Sequence, residues 1–223
     1  LDIVNMKFAL PILPLSSLSE VVKETDNLLI FHAAFLTPDR ITSLGVDSFI
    51  SINRDITRSI ENAVRKSNSS RVVLFSSGMA SLKEMSKVDK FDSKFIYGSL
   101  KREEEDVVSK MCPALILRIY ALSGRYARNL QNYALGDFIL QAMYNKKLLL
   151  KNSSLVLRGY VHVSCLAQIA IKWIFSDLNS TPRPLNATTN EIEISELAKL
   201  VANFYGGLEI KYTENAETTE SIY

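Results

Sequence analysis

The sequence predicts an α/β fold in which helices cover a parallel sheet. Three observations carry this. Residues 27–34 (NLLIFHAA) and 71–77 (RVVLFSS) are continuous apolar runs of strand length, as expected of strands buried on both faces. Between them, over residues 47–66, Phe49, Ile52, Ile56, Ile60, Ala63 and Val64 recur at steps of three and four, the stripe of a long amphipathic helix. A third run, 114–120 (ALILRIY), follows a further helical stretch, so strands and helices alternate.

Residues 8–13 form a short apolar segment, and Ser17-Leu18-Ser19-Glu20 has the spacing of a capping box opening a short helix to about Lys23. After the second strand, 83–94 reads as a charged loop, and a helix over 97–111 ends before Pro113. Beyond Gly124 the pattern predicts a helix over 132–144 with Lys146 and Lys147 near its carboxyl end, a strand over 155–163, a helix over 166–175 and a loop over 177–184. Ser195 is expected to cap a last helix that Gly206-Gly207 terminates, and the acidic tail from Thr213 is expected to be mobile. No internal repeat is visible.

The 223 residues suffice for a full core, and a formal charge of +2 without a Lys/Arg block is too small to argue for a nucleic-acid partner, so none is expected. Cys112 and Cys165 lie in separate apolar runs with no metal-ligand spacing, so buried reduced thiols in a cytoplasmic protein are expected, with no metal and no disulfide. No apolar run approaches the roughly 20 residues of a membrane helix, and residues 1–5 lack the basic region of a signal peptide.

The informative stretch is Tyr97-Gly98-Ser99-Leu100-Lys101. Tyr and Lys at i and i+4 share a helix face. An ammonium beside a phenol favours the phenolate, making Tyr97 a usable general base at neutral pH. Alone, such a pair is a common coincidence. Upstream, however, Phe75-Ser76-Ser77-Gly78 closes a buried strand, and ligands bind at the carboxyl ends of strands in parallel sheets. Hydroxyls there either bond a substrate oxygen or cap a turn.

Strand, Ser-Ser-Gly, charged loop and Tyr-x-x-x-Lys in that order resemble the extended short-chain dehydrogenase/reductase family, the NAD-dependent nucleotide-sugar epimerases and dehydratases. Further segments are similar: Phe31-His32-Ala33-Ala34 to an "HxAA" strand end, Asn53-Arg54-Asp55-Ile56-Thr57 to "NxxGT", Leu117-Arg118-Ile119-Tyr120 with Gly124 to "LRxxNxxG". Residues 134–139 and 158–163 are similar to segments of bacterial surface-polysaccharide enzymes, Asn186 sits where these have "YNV", and Ile194-Ser195-Glu196-Leu197-Ala198 looks like "SxxELA".

The resemblance implies a Rossmann-like doubly wound parallel sheet over residues 1–125 and a smaller C-terminal α/β substrate-binding region over 126–223, with 155–176 returning to the first. It implies that Tyr97 takes a proton from a sugar hydroxyl as hydride leaves the same carbon for NAD, favoured over NADP. Lys101 and Ser77 would assist, Ala33, Ala34, Asn53 and Ser76 would line the cofactor, and Ser77, Gly78 and Arg158 would contact the nucleotide sugar. Product formation would pass through a transient keto-sugar, in O-antigen or capsule precursor synthesis, in a homodimer formed through the 47–66 and 97–111 helices.

Departures are as specific. Ile56 replaces a family glycine, Ala121 replaces the Asn of "LRxxN", and Gly159, Ser164 and Cys165 depart from "RDxxHVDD". Of eight glycines the first is Gly45, so the glycine-rich βαβα opening of the cofactor site is missing; with Leu1 in place of Met, this points to residues upstream. The other reading is a catalytically silent relative acting as a binding or assembly module.

Other residues carry plainer expectations. Asn53 lies on the apolar stripe of its helix, either helping fix the active site or as a satisfied core amide. His32 packs and hydrogen-bonds at a strand end, His162 is structural, Trp173 is core, and Arg118 meets either a phosphate or a buried carboxylate. Glu103-Glu104-Glu105-Asp106 reads as a solvated helix face.

Overall fold

The computed structural model describes residues 12–22, 27–81, 92–125, 127, 130–177, 180–217 and 221–222, with backbone alone from 214 onward. The 8–13 segment and the 83–94 loop lie mostly outside them. In chain order the elements are α1 (Leu18–Val21), β1 (Leu28–His32), α2 (Ile41–Leu44), α3 (Val46–Lys66), β2 (Ser70–Ser77), α4 (Ser93–Met111), β3 (Ala114–Ile119), β4 (Ala121–Ser123), α5 (Ala134–Tyr144), β5 (Lys147–Asn152), β6 (Val156–His162), α6 (Val163–Ile174), β7 (Leu185–Ala187), β8 (Asn190–Glu193), α7 (Ile194–Phe204), β9 (Glu209–Glu217) and β10 (Ser221–Ile222). The chain divides into two compact units, Leu1–Ile119 with Gln168–Asn186, and Tyr120–Ala167 with Ala187–Tyr223.

The first unit is built on a sheet of order β1-β2-β3-β7, with β1, β2 and β3 mutually parallel. Val72, Val73 and Leu74 of β2 and Ala114 to Leu117 of β3 are all buried, because each strand is flanked on both edges. β1 departs from the expected strand: it is shorter than 27–34, and Leu29 and Phe31 are 42% and 48% exposed. The reason is that Leu29 and Phe31 share one face of the strand and that face stays open, whereas Leu28, Ile30 and His32 point to the covered one; β1 is also the edge of the described sheet. α3 buries Phe49, Asn53, Ile60, Ala63 and Val64 as its stripe predicts, whereas Ile52 stands at its exposed margin. Arg71 ties the end of α6 to β2: its Nη1 donates to the carbonyls of Ile174 (2.7 Å) and Ser176 (2.6 Å), and its guanidinium lies 4.4 Å from the ring centre of buried Trp173.

Local expectations fail where a side chain found a different partner. Ser17 does not cap α1: its hydroxyl donates to the Pro14 carbonyl, and the helix stops at Val21. α4 begins four residues before Tyr97, because the Asp92 carboxylate accepts the Lys94 amide at 2.7 Å. Cys112 and Cys165 are free and only half-buried, and burial pushes the Cys112 thiol up to about 11.

In the second unit, Leu148 and Leu150 of β5 pack with Phe138 and Ala142 of α5 and with Leu197 and Ala198 of α7. Glu193, rather than Ser195, caps α7, its carboxylate accepting both the Ser195 and Glu196 amides. Burial alone would raise the Glu193 pKa, but these hydrogen bonds win and hold it below the usual range. Gly206 and Gly207, at φ 94° and 80°, end the helix as expected. Lys147 opens β5 instead of closing α5, and the segment from Thr213 is no loose tail: β9 continues to Glu217, paired in parallel with β5.

Candidate active site at the strand ends

Ser77 is the last residue of β2, and the chain then turns through a short 3₁₀ segment, Gly78–Ser81. The Ser77 hydroxyl accepts the Met79 amide at 3.2 Å, and Ser81 donates to the Gly78 carbonyl at 2.6 Å. The turn-cap reading of Ser77 is therefore realised, through an acceptor lone pair that leaves its proton to donate. Against this turn lies α4. A β-carbon at Gly98 would come within 2.5 Å of the Met79 carbonyl oxygen, so only glycine permits the approach. Arg102 fastens the next helical turn by donating to the Ala80 carbonyl at 2.9 Å. Tyr97, adjacent to Gly98, is in this way anchored beside the end of β2.

Tyr97 is half-buried with its ring edge-on to Phe35, centroids 5.9 Å apart, in a cluster with Phe49, Ile96 and Leu100. Phe35 follows Ala33 and Ala34, which are exposed in the loop after β1. Asn53 pins that loop: its Oδ1 accepts the Leu36 amide at 2.8 Å and its Nδ2 donates to the Leu36 carbonyl at 3.4 Å. Both of its functional groups are thus occupied by backbone.

Lys101 is 3% exposed. Its ammonium donates to the Glu104 carboxylate at 2.9 Å and to the Phe75 carbonyl at 3.1 Å, and sits 3.8 Å from the centre of the Phe35 ring. Burial lowers its pKa, and the Glu104 charge opposes that without cancelling it. The other Glu104 oxygen meets His32 Nε2 at 2.8 Å. Glu105 takes Arg118 in a two-pronged bridge, the shorter contact 2.6 Å, and accepts the Ser76 hydroxyl at 2.5 Å. Ser76 and Arg118 are register partners on β2 and β3. Arg118 therefore meets a carboxylate, and the Ser76 hydroxyl points to Glu105.

The acidic run is consequently no solvated face. Glu103 and Asp106 are exposed, but Glu104 and Glu105 are buried and join α4 to the ends of β1, β2 and β3. Glu104, Phe35 and Gly98 escaped the sequence reading. For Glu104 a signal existed: positions 97, 101, 104 and 108 follow one helix face, so it shares the Tyr97 and Lys101 stripe. Gly78 is buried in the turn. Arg158 belongs to the second unit, where its Nη1 donates to the Leu157 carbonyl and it lines, with Tyr133, Asp137 and Lys151, a pocket of about 270 Å³. His162 is exposed and bonds Ser164 at 2.6 Å.

Comparison with known proteins gives a consistent picture. A family model described as the NAD dependent epimerase/dehydratase family matches residues 8–186. Among solved structures, UDP-N-acetylglucosamine 4-epimerase from Methanobrevibacter ruminantium M1, in complex with UDP-N-acetylmuramic acid, superposes with TM-score 0.69 at 17% identity, covering 92% of this chain and 69% of that one. UDP-glucuronic acid 4-epimerase from Bacillus cereus, in complex with UDP-glucuronic acid and NAD, gives 0.69 at 16% identity over 99% and 70% of the two chains. MoeE5 in complex with UDP-glucuronic acid and NAD gives 0.68 at 19% over 93% and 73%. At these identities the likeness shows the fold, a Rossmann-type α/β sheet. No curated protein matches.

Proposed function

This chain belongs to the NAD dependent epimerase/dehydratase family, and from that premise we propose that it converts a nucleotide sugar through a transient keto-sugar, with Tyr97 as the proton acceptor. The observation that carries the reading is the docking of the Tyr97 turn of α4, through Gly98, onto the 3₁₀ turn that follows Ser77 at the end of β2. The solved relatives bound to UDP-sugars and to NAD support the substrate class and the cofactor.

NAD, when bound, supplies the hydride acceptor and donor. The residues present suit its reactive end: exposed Ala33 and Ala34 lead into Phe35, whose ring packs on Tyr97 and on the Lys101 ammonium. The Tyr97 phenolate takes the proton of a sugar hydroxyl, while the Ser77 hydroxyl donates to the oxygen that becomes a carbonyl. The Lys101 charge favours that phenolate. Ser76 and Asn53 hold the site's framework, and Arg158 offers a guanidinium suited to a nucleotide phosphate. Epimerisation for a surface-polysaccharide precursor is the reaction we favour, in a homodimer through α3 and α4.

The test is turnover of UDP-sugars by the full chain with NAD. Y97F should abolish turnover and leave the fold intact; near-normal turnover refutes the role. One observation favours a second reading, a silent binding module: Lys101 is already enclosed by Glu104, Phe75 and Phe35. Calorimetric titration of the full chain separates the two, because a silent module leaves NAD unbound.

A further inference from the structure

A carboxylate as buried as Glu104, at 0% exposure, is costly unless charge and hydrogen bonds meet it. Here they come from separate elements. His32 of β1, 72 positions away, occupies one oxygen, and Lys101, one turn back on α4, occupies the other. We propose that Glu104 is a positioning residue: gripped by His32, it fixes the Lys101 ammonium one helical turn from Tyr97 and keeps it charged in a buried place. This deepens the reading of Tyr97 as proton acceptor and rests on it for the kinetic arm of the test alone.

The argument lies in what else surrounds the ammonium. β2 offers a neutral carbonyl, that of Phe75, and the loop after β1 offers the face of Phe35. Among the described residues the other charges nearby are committed: Glu105 faces Arg118 of β3 and the Ser76 hydroxyl, so its charge reaches Lys101 only through space. Removing the Glu104 charge would take away the largest influence that opposes desolvation, leaving the through-space charge of Glu105, and the lysine would hold its proton less tightly. A neutral amine no longer favours the Tyr97 phenolate.

The test follows the Lys101 ammonium directly by NMR in full-length protein labelled with ¹⁵N-lysine. In E104Q the Lys101 titration midpoint should fall by about 1–3 pH units, the range for loss of an adjacent opposite charge, and E104D should restore most of it. In turnover assays the acidic limb of the kcat profile should move to higher pH with KM little changed. A folded E104Q with an unmoved Lys101 midpoint overturns the proposal. A moved midpoint in a chain without turnover supports it and removes the enzymatic reading instead. Should E104Q not fold, the wild-type protein decides: its Lys101 ammonium protons must exchange with water far more slowly than those of exposed Lys147, and equal exchange overturns the proposal.

Discussion

Replacing Gly98 with alanine sets two effects of opposite sign against each other. Inside a helix, alanine is favoured over glycine by up to about 1 kcal/mol. The new methyl group, however, would stand 2.5 Å from the Met79 carbonyl oxygen, 3.1 Å from its carbon and 3.3 Å from its Cβ. Ordinary contacts begin near 3.5 Å, so the helix and the turn must separate by about 1 Å. The obstacle is backbone, and the turn is braced by the Ser77, Ser81 and Arg102 hydrogen bonds, so it cannot yield as a side-chain tip would. Overpacking costs about 1–3 kcal/mol, and an obstacle of braced backbone 2.5 Å away puts this site in the upper half of that range, about 2–3 kcal/mol. The clash therefore wins, and G98A should unfold in urea with about 1–2 kcal/mol less stability at unchanged slope, after crediting the propensity gain. Ser99, exposed on the same helix, is the control: S99A should gain a few tenths of a kcal/mol. If G98A matches or exceeds wild type while S99A gains, α4 does not dock on the Ser77 turn.

Three further outcomes follow from the same geometry. E105Q leaves the Arg118 guanidinium without its carboxylate and should cost about 3–5 kcal/mol in urea unfolding; adding R118M should recover part of it, because the orphaned charge goes too. E193A should lose about 1 kcal/mol as α7 loses its cap, and since the folded carboxyl titrates below its unfolded value, this stabilisation is present above about pH 4.5 and fades as pH falls through the folded pKa, which denaturation at pH 7 and pH 3 measures. Cys112, raised from 9.0 to about 11, carries about a hundredfold less thiolate at pH 8 than a free cysteine, so its alkylation, followed by peptide mass, should be slower by a similar factor until the chain is denatured. Equal rates in folded and unfolded protein would exclude that burial.

Much of the candidate site was legible because it is local. The Tyr97–Lys101 spacing needs only a helix, and Ser77 at a strand's carboxyl end needs only a buried apolar run followed by glycine. Strands β2 and β3 announced themselves as unbroken apolar segments because both of their faces are covered. The first strand misled for the same reason in reverse: NLLIFHAA has the composition of a doubly buried strand, and that the face bearing Leu29 and Phe31 stays open is not a property of the segment. Likewise Asn53 could be placed on its helix's apolar stripe, but that its amide pins the Leu36 backbone depends on a loop 17 positions away.

The sequence by itself determined the alternation of strand and helix and the face on which Tyr97 and Lys101 lie, since each follows from periodicity; that Gly98 is needed beside them was decided by the fold, which brings the Met79 carbonyl against it. Only the tertiary structure decided that two of four consecutive acids are interior. A carboxylate is equally content in water or in a buried site furnished with partners, so its position is settled by groups far off in the chain: His32 and Lys101 for Glu104, Ser76 and Arg118 for Glu105. Solvation sets the default for such a group, and only the assembled fold can reverse it.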